Sequence, residues 1–529
     1  MVQIRQFFLA ALLCAAALPA QKFYPDDPLP SEPPPLPVAH ANHRDINDYF
    51  DFFQSTFFPP EPLKTQILHH APVPSEAVNT LGDVPDSAWF TNRIGSQRMS
   101  IEELVRGPGD SHAPATDKPW VVVSGKSEGV SPGLVIRDSE GRRYFMKFDP
   151  KSNPEMATAT DVIGSKFFYD IGYNVPENHI VIFGRRQLTL DKDSTFRDQF
   201  NHKRPMTDRD VDEVLKKVPR DKEGKYRGMA SLTVPGDLLG PFRNYGTRSD
   251  DPNDIVDHQN RRDLRGLYVF CAWLNRTDAK DLNSMDTLVE EDGVRYIKHY
   301  LIDFGDIMGS DSIAPKDVRR GHAWVFQWRP AIVEALSFGL FVPGWMLADY
   351  PDIPAIGHFD YKTFDPENWK SNYQNLAFEL RTPGDTYWAA KKVMAFTDED
   401  IRNIVLTGQY SDPRAVEWAT KCLIERRNRI GRAFFNDVLP LDNFQVRNGG
   451  LVFEDLAVKY GFVPTRSYTV QWSEFDNDTS RKTPVSGSGF HIPRANARYL
   501  EAEIQGGNPR QKVQVYLHGD TIVGIDRTW

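Results

Sequence analysis

The sequence predicts an α+β protein of two lobes, in which a β-rich lobe precedes a mainly helical lobe. Three observations support this fold class. Short apolar runs separated by glycine turns occupy residues 119–183, amphipathic helical patterns dominate residues 257–435, and strand-like alternation returns after residue 441. The predicted divisions are a proline-rich linker and N-terminal extension at 21–118, the two lobes at 119–440 and a small C-terminal β-rich region at 441–529.

The composition is that of an ordinary globular protein. Of the 529 residues, 40% are hydrophobic and 26% are charged, which excludes wholesale disorder and a collagen-like or coiled-coil rod. The net charge of −9 provides no overall basic field, so we expect no nucleic-acid partner. Cys271 and Cys422 lie in helix-like apolar patterns and are expected to be buried thiols, although a bridge between them would be compatible with an oxidising compartment.

Residues 1–20 have the pattern of a secretory signal peptide. Arg5 and the amino terminus supply positive charge, the apolar run Phe7–Leu18 follows, and Ala20 offers a small residue before Gln21. The apolar run is too short to span a bilayer. We therefore expect an exported protein, periplasmic or secreted, whose mature chain has no transmembrane segment.

The exported chain is expected to begin with an arm. Tyr24–Pro37 is dense in proline and lacks a periodic apolar face, which predicts an extended or disordered linker. Asp45–Phe58 has the aromatic, amphipathic pattern of a short helix that ends at Pro59. Trp89 and Phe90, in the turn-rich stretch that follows, are expected to pack onto the next domain.

Four strand-like runs and one helix predict the β-rich lobe. The helix begins at Asn153 and Pro154, which favour an N-cap and a first helical turn, and it stops at Gly172. The predicted strands are Trp120–Ser124, Leu134–Arg137, Arg143–Phe148 and His179–Phe183.

The second lobe combines long helices with one β-hairpin. An apolar stripe that includes Leu264 and Leu274 marks the first helix, and Asp412-Pro413 opens another. Between these helices, Met285–Glu290 and Val294–Ile302 flank the turn Glu291-Asp292-Gly293, which predicts a hairpin.

The loop after the first helix of this lobe carries the pattern D-x-K-x-x-N at Asp278, Lys280 and Asn283, and Asp303-Phe304-Gly305 follows the hairpin. An Asn that precedes a hairpin and an Asp that follows it lie side by side, so their side-chain oxygens can converge on one divalent cation. Such cations prefer hard oxygen ligands. We therefore predict Asn283 and Asp303 as metal ligands. Asp278 can orient an incoming hydroxyl and take its proton, and Lys280 can stabilise charge on a transferred phosphoryl group.

The β-rich lobe is expected to supply the grip on a nucleotide. Lys147 lies in a strand, and Glu155 shares the inward stripe of the next helix, whereas Asp161 is rotated away from that stripe. We therefore predict a Lys147–Glu155 ion pair that holds the amine at the α- and β-phosphates.

A glycine-containing turn precedes Lys147. Gly125, Gly129 and Gly133 can let backbone amides approach phosphate groups, and Lys126 adds positive charge. These residues are predicted to bind the cofactor together with Lys147.

The order of these motifs resembles the protein-kinase-like superfamily, in a secreted bacterial form, and the resemblance covers residues 119–440. The helix segment NPEMATATDVIGSKFFYDIGYNVPE is particularly similar to that of HipA-like kinases. The resemblance implies a two-lobed kinase-like fold that uses ATP and Mg²⁺. It also implies that Asp278 is the catalytic base, that Asn283 and Asp303 bind magnesium, and that Lys147 and Glu155 form the ion pair.

The sequence departs from the kinase pattern in three places. Arg276-Thr277-Asp278 stands where His-Arg-Asp is usual, the glycine loop is G-x-x-x-G-x-x-x-G, and no Ala-Pro-Glu triplet follows Gly305. These departures affect the architecture of the substrate loops more than the metal chemistry.

The function predicted from the sequence is magnesium-dependent transfer of a phosphoryl group from ATP to a hydroxyl on a protein, a carbohydrate or a small molecule outside the cytoplasm. Three alternatives stay open. The chain could be a pseudokinase without turnover, or an envelope- or carbohydrate-binding protein whose C-terminal region is the active module. It could also be a nucleotidyl transferase in which the nucleotide binds flipped on the same fold.

Overall fold

A computed structural model describes residues 21–47, 50, 53, 72–109, 112–126, 133–197, 202–326 and 343–529. The predicted signal peptide at 1–20, most of the predicted helix at 45–58, and Gly129 lie outside the described residues. Among the described helices, none is both long enough and apolar enough to cross a membrane.

The β-rich lobe is built on one mixed sheet. Its elements are α1 (Ile101–Arg106), β1 (Trp120–Lys126), β2 (Gly133–Arg137), β3 (Arg143–Lys147), α2 (Met156–Ile171), β4 (Asn178–Phe183), β5 (Leu188–Arg197), β6 (Lys203–Pro205), α3 (Asp208–Leu215) and β7 (Tyr226–Leu232). The strand order is β4-β7-β3-β2-β1-β5-β6. Strands β1 and β5 run parallel, and the other neighbours are antiparallel.

The two faces of this sheet have different neighbours because successive side chains of a strand point to opposite sides. One face buries Trp120, Ile136 and Tyr144 in a core that includes Val211 and Val214 of α3. The opposite face carries Lys147 and contacts α2 at the β4–β7 end. The rest of that face borders a cavity that the helical lobe closes from the other side.

The segment from β5 through α3 was not predicted from the sequence. It adds β5 and β6 to the free edge of β1 and places α3 over the buried face. The predicted strands of this lobe are confirmed. The predicted helix is confirmed as well, but it begins at Met156, two residues later than expected.

The helical lobe surrounds α4. Its elements are β8 (Asp237–Gly240), α4 (Arg262–Leu274), β9 (Ser284–Glu291), β10 (Val294–Leu301), α5 (Leu376–Glu379), α6 (Pro383–Ala395), α7 (Asp398–Leu406) and α8 (Pro413–Phe434). Helix α4 is buried from Asp263 to Leu274 and packs against α6 and α8. Asp412 caps α8 by accepting the Arg414 N–H, with Pro413 in the first turn, as predicted.

The predicted hairpin is confirmed as β9 and β10. The two strands pair in continuous register from Ser284↔Leu301 to Glu291↔Val294. Asp292 and Gly293 have φ values of 51° and 79°, which is the left-handed geometry of a tight two-residue hairpin turn.

The C-terminal region is a second β structure. Its elements are β11 (Leu441–Arg447), β12 (Gly450–Asp455), α9 (Leu456–Lys459), β13 (Thr469–Phe475), β14 (Lys482–Pro484), β15 (Tyr499–Gln505), β16 (Lys512–His518) and β17 (Thr521–Arg527). The main sheet has the order β14-β13-β15-β16-β17, and the β11–β12 hairpin shares its hydrophobic core.

The N-terminal arm is fastened to this second sheet. Phe23 is 1% exposed and packs against Phe475, Tyr499 and Tyr516. Asn477 accepts the Phe23 backbone N–H and donates to its carbonyl, so the arm is pinned at the point where the ring enters. The start of the arm, immediately before the predicted linker Tyr24–Pro37, is therefore an ordered strap.

The predicted fold class is confirmed: the molecule has a β-rich lobe, a helical lobe and a C-terminal β-rich region. Cys271 and Cys422 are both buried free thiols, as expected, and they form no bridge. Trp89 and Phe90 are buried in the hydrophobic core of the helical lobe, so they pack onto the domain that follows them, as expected.

Candidate functional site

The loop that follows α4 holds the D-x-K-x-x-N residues close together. Asn275, with φ 56°, ends the helix in the left-handed conformation and turns the chain back. The Asn283 side-chain amide donates to the Asp278 carbonyl at 2.7 Å and to Asp278 Oδ2 at 3.0 Å. Lys280 Nζ lies 3.4 Å from Asp278 Oδ2. The loop therefore gathers a carboxylate, an amide and an ammonium.

The hairpin brings Asp303 back to this loop, as predicted. The Ile302 N–H donates to the Asn283 carbonyl at 3.0 Å, just beyond the last paired residues of the two strands. Asp303 has φ 61°, so the chain bends sharply where the strand ends. Asn283 and Asp303 thus lie at the same end of the hairpin.

Arg276 ties the loop to the end of β10. Its guanidinium donates to the carbonyls of Ile302 at 2.6 Å and Asp303 at 3.2 Å, and the residue is 1% exposed. The guanidinium also lies over the ring of Phe304, 4.8 Å from its centroid. The arginine of the shifted Arg-Thr-Asp triplet is therefore a positioning residue for the Asp303 backbone.

Lys147 bridges the two lobes. Its Nζ atom lies 2.6 Å from Asp303 Oδ1 in the helical lobe and 3.2 Å from Asp161 Oδ2 on α2. Burial opposes the charge of Lys147, but the two carboxylates outweigh burial and raise the pKa of its ammonium. Although desolvation by the surrounding protein also opposes the charge of the partly exposed Asp303, the Lys147 ammonium lowers the pKa of that carboxyl. Both groups are therefore held in their charged forms.

The predicted Lys147–Glu155 pair is wrong, because Asp161 occupies the position expected for Glu155. Glu155 is the N-cap of α2 with φ 69°, and its carboxylate accepts the Ser411 N–H at 2.8 Å. The helix starts late because Asp149 caps its first turn through the Thr158 N–H at 2.9 Å. Glu155 therefore precedes the helix and points away from the inward face.

Asp161 belongs to a face of α2 that contacts Asp303-Phe304-Gly305. It accepts the Phe304 N–H at 2.8 Å, and Phe168, two turns further on, stacks on the Phe304 ring at 5.1 Å. Between them, a Cβ atom on Gly164 would lie 2.5 Å from Phe304 Cβ, so the close approach needs glycine. Almost every side of α2 is buried, and for this reason no single apolar stripe identified this face in the sequence.

Two further charged residues of the site were not predicted. Asp306 accepts the Asp278 N–H at 2.7 Å, and Lys316 lies 3.2 Å from the same Asp306 oxygen. Lys316 also donates to Thr277 Oγ1 at 2.7 Å. Burial lowers the pKa of Lys316. Asp306 follows Asp303 by three positions, a spacing that carried no signal of its own in the sequence.

The environment of Asp278 suits proton transfer. Burial, followed by the nearby Asp306 charge, raises the pKa of the Asp278 carboxyl. A higher pKa makes a carboxylate a stronger proton acceptor. The neighbouring Lys280 ammonium and the Asn283 amide act in the opposite direction and favour the ionised form.

The site residues line one cavity of about 760 Å³ between the lobes. Such a volume lies within the range of ordinary small-molecule sites. The β-rich lobe contributes Gly125, Gly133, Val135, Phe145 and Lys147, and the helical lobe contributes Asp278, Lys280, Asn283, Asp303 and Asp306.

The predicted glycine loop is only partly described. Gly133 lies opposite Lys126 in the β1–β2 register and opposite Lys147 in the β2–β3 register. A Cβ atom on Gly125 would meet Met206 at 2.8 Å and Leu134 at 3.1 Å. Close packing of the lobe's core therefore accounts for glycine at position 125.

The oxygen donors of the site fit a divalent cation that is shared with a ligand. Asn283 uses its NH₂ group on Asp278, which leaves its carbonyl oxygen as a donor, and the Asp303 side chain is 42% exposed. Within the described part of the chain, no group of three His, Cys, Asp or Glu side chains could hold a metal ion by itself. Magnesium is commonly held by one or two protein oxygens together with substrate phosphates.

No protein-family model and no curated protein matches this chain. Among solved structures, it is similar to the proinflammatory kinase CtkA of Helicobacter pylori, with 11% identity, a TM-score of 0.31, and coverage of 59% of this chain and 93% of that one. It is also similar to a Golgi casein kinase, with 9% identity, a TM-score of 0.29 and coverage of 78% and 96%. The structure of the Golgi casein kinase with Mn/ADP bound has 8% identity to this chain and a TM-score of 0.30. That match covers 78% of this chain and 94% of the kinase chain.

The architecture itself defines the class of the fold. A β-rich lobe presents a strand lysine to a helix carboxylate, and a helical lobe presents a loop aspartate, an asparagine and a post-hairpin aspartate to the same cavity. This arrangement is a two-lobed, kinase-like fold.

Proposed function

We propose that this protein is a magnesium-dependent phosphotransferase that moves the γ-phosphoryl group of ATP to a hydroxyl acceptor outside the cytoplasm. The observation that carries the proposal is the bridge from Lys147 to Asp161 and Asp303 across the cavity that also contains Asp278 and Asn283. Such a bridge holds an ammonium where it can meet phosphate oxygens and places oxygen ligands on the facing wall.

Each side chain of the site has a role in this proposal. Lys147 would hold the α- and β-phosphates, and the oxygens of Asn283 and Asp303 would hold a magnesium ion. When bound, that ion neutralises negative charge on the phosphates. Arg276 and Asp161 keep Asp303 in place through its backbone carbonyl and the adjacent Phe304 N–H, respectively.

The transfer step balances with groups that the site supplies. The acceptor oxygen forms a bond to the γ-phosphorus while the bond from that phosphorus to the β–γ bridging oxygen breaks, and ADP leaves. Asp278 takes the proton of the acceptor hydroxyl. Lys280, 3.4 Å from Asp278, stabilises negative charge on the transferred group.

Nucleotide binding can be tested by thermal melting of the full chain with and without Mg-ATP. We expect Mg-ATP to raise the melting temperature of the wild type and to have no effect on Asp303→Asn. Asp292→Asn is the matched control, because Asp292 lies in the turn at the opposite end of the same hairpin. If no nucleotide shifts the wild type, the chain is instead a binding protein without turnover.

The reaction type can be tested with labelled ATP. Phosphoryl transfer leaves label from γ-labelled ATP on the acceptor, and label from α-labelled ATP stays in solution. Transfer of the α-label would identify a nucleotidyl transferase. Binding of Mg-ATP without transfer of either label, including no release of labelled phosphate to water, would identify a pseudokinase.

The location of the reaction is proposed from the signal-peptide pattern of residues 1–20. Expression of the full chain in a bacterium, followed by fractionation and N-terminal sequencing, tests this part. A mature protein that starts at Gln21 outside the cytoplasm is expected. Retention of Met1 in the cytoplasmic fraction would contradict export.

A further inference from the structure

Cationic residues form a row on the face of the β-rich lobe's sheet that borders the cavity. Reading the strand register from β3 outward, Lys147 is opposite Gly133, Gly133 is opposite Lys126, Lys126 is opposite Arg197, and Arg197 is opposite Lys203. Residues directly opposite one another in a sheet share one face. The register therefore places the side chains of Lys147, Arg197 and Lys203 on the same side of the sheet as Gly133.

This row faces the cavity. Lys147, Gly133, Arg197 and Lys203 all line it. Neighbouring strands lie about 4.8 Å apart, so the row extends for about 19 Å from Lys147 to Lys203. The cations thus continue well beyond the position where Lys147 meets Asp303.

Like charges directly opposite one another destabilise a sheet. The adjacent row on the same face avoids this cost, because Phe145 is opposite Val135, Val135 is opposite Ser124, and Ser124 is opposite Thr195. Charge is therefore concentrated in one row, and the next row is apolar or carries hydroxyl groups. An anionic ligand beneath the charged row would offset the repulsion.

The two ends of the charged row differ in their carboxylate neighbours. Lys147, at the inner end, is paired with Asp161 and Asp303. Lys203, at the outer end, makes no ion pair within the described parts of the chain. Asp193 also lines the cavity, but it lies where β5 bulges out of register with β1 between Leu190 and Thr195.

The cavity is bounded on the side of the helical lobe. After Gly305 the chain forms a tight loop in which Ser310 pairs with Pro315 and the Asp311 N–H donates to the Ala314 carbonyl at 2.9 Å. Asp311 and Ser312 of this loop line the cavity. Because this cavity of about 760 Å³ must also hold the nucleotide, the space that remains beside the row suits a compact ligand.

We propose that Arg197 and Lys203 bind the anionic group of a small hydroxyl acceptor, a compound of monosaccharide size that carries a phosphate or a carboxylate. This inference rests on the proposed phosphotransfer, in which the inner part of the row serves the nucleotide. The outer part, supplied by β5 and β6, then selects the acceptor. Charge-assisted hydrogen bonds from lysine and arginine suit both anionic groups.

The test measures binding of inorganic phosphate to the full chain by calorimetry, at constant ionic strength set with chloride, with and without saturating Mg-ADP. We expect phosphate to bind in both conditions. Loss of one charge-assisted bond corresponds to about a tenfold or greater loss of affinity, so Lys203→Gln and Arg197→Gln should each weaken phosphate binding by that factor. Lys192→Gln, on β5 but outside the cavity lining, is the matched control and should bind as the wild type does.

Each other outcome overturns a defined part of the proposal. Absence of phosphate binding, or binding that survives in both variants, removes the anion site. Phosphate that competes with Mg-ADP would assign the whole row to the nucleotide and remove the acceptor role. Phosphate binding in a protein that does not bind Mg-ADP would leave an anion site but refute the phosphotransferase. Succinate in place of phosphate distinguishes the two anionic groups: tighter binding of succinate assigns a carboxylate to the acceptor.

Discussion

The two ends of α2 each bury a carboxylate, but the surroundings of the two groups differ. Asp161, toward the beginning, meets Lys147 at 3.2 Å and accepts the Phe304 N–H at 2.8 Å. Asp170, near the end, is 0% exposed, and neither of its carboxylate oxygens has a hydrogen-bond partner in the described structure. One end of the helix serves the cavity and the other end is part of the core.

Electrostatics describe the same contrast. Burial raises the pKa of both carboxyl groups, and for Asp170 it raises the pKa well above the ordinary value. The Lys147 charge opposes that rise for Asp161 through a direct ion pair, whereas Lys166 and Arg93 oppose it for Asp170 without an ion pair in the described structure. A buried acid therefore indicates a functional site through the partner it meets, because burial by itself also occurs in the core.

The largest expected effect comes from removing the cation at the cavity end. Lys147→Met should reduce Mg-ATP-dependent phosphoryl transfer by about 10²-fold or more, because the phosphates lose the fixed positive charge of the Lys147 ammonium. Activity with γ-labelled ATP measures this loss, and circular dichroism checks that the variant is folded. Transfer at the wild-type rate would show that the bridge to Asp303 has no part in the reaction.

The next effect concerns the contact between α2 and Phe304. Gly164→Ala places a Cβ atom 2.5 Å from Phe304 Cβ and 3.1 Å from Ile307 Cδ1. Overpacking of this kind should lower the free energy of unfolding by about 1–3 kcal/mol. Gly184→Ala is the control, since a Cβ there has no neighbour within 4 Å. Equal denaturation midpoints for the two variants would contradict the close approach.

At the core end, removing a charge should increase stability. In the folded protein the pKa of Asp170 is well above its ordinary value of 3.8, so the folded state binds more protons than the unfolded state between these two values. The free energy of unfolding therefore falls as pH rises through that window and stays low above it. Asp170→Asn removes this cost and should raise the free energy of unfolding at pH 7 by about 1–3 kcal/mol.

Urea denaturation of Asp170→Asn at several pH values measures this effect. The gain should shrink as pH falls toward 3.8 and vanish below it, because the aspartate then becomes protonated in the unfolded state as well. If Asp170→Asn is less stable than the wild type at pH 7, the Asp170 carboxylate stabilises the folded protein, and the prediction is wrong.

The smallest effect separates the two acidic candidates for pairing with Lys147. Glu155→Gln alters an N-cap residue whose carboxylate meets the Ser411 N–H, so activity should stay within about twofold and stability within about 0.5 kcal/mol. Asp161→Asn, assayed beside it, should lose about tenfold or more of the transfer activity. If Glu155→Gln instead loses more transfer activity than Asp161→Asn, the result would support the Lys147–Glu155 pair predicted from the sequence.

Local patterns explain why much of the fold could be predicted. The β9–β10 hairpin follows from its Asp-Gly turn, and α8 follows from Asp412, Pro413 and a continuous apolar face. The convergence of Asn283 and Asp303 was a consequence of the hairpin. These features depend on residues close together in the chain, where periodicity and turn preferences act.

The parts that were missed depend on contacts between distant segments. Helix α2 starts later than predicted because Asp149 caps its first turn. Glu155 therefore precedes the helix and its side chain lies away from Lys147. The edge strands β5 and β6 join β1 in a pairing that no local pattern specifies. The contact of Asp306 with Asp278 requires two loops to meet, and spacing alone does not predict such a meeting.

The strap at the start of the described chain ends beside the last strand. Lys22 pairs with Asp526, and the Ile525 N–H donates to the Thr80 carbonyl at 2.8 Å. A force that separates Lys22 from Asp526 would consequently act on the C-terminal sheet, where the Phe23 ring is packed.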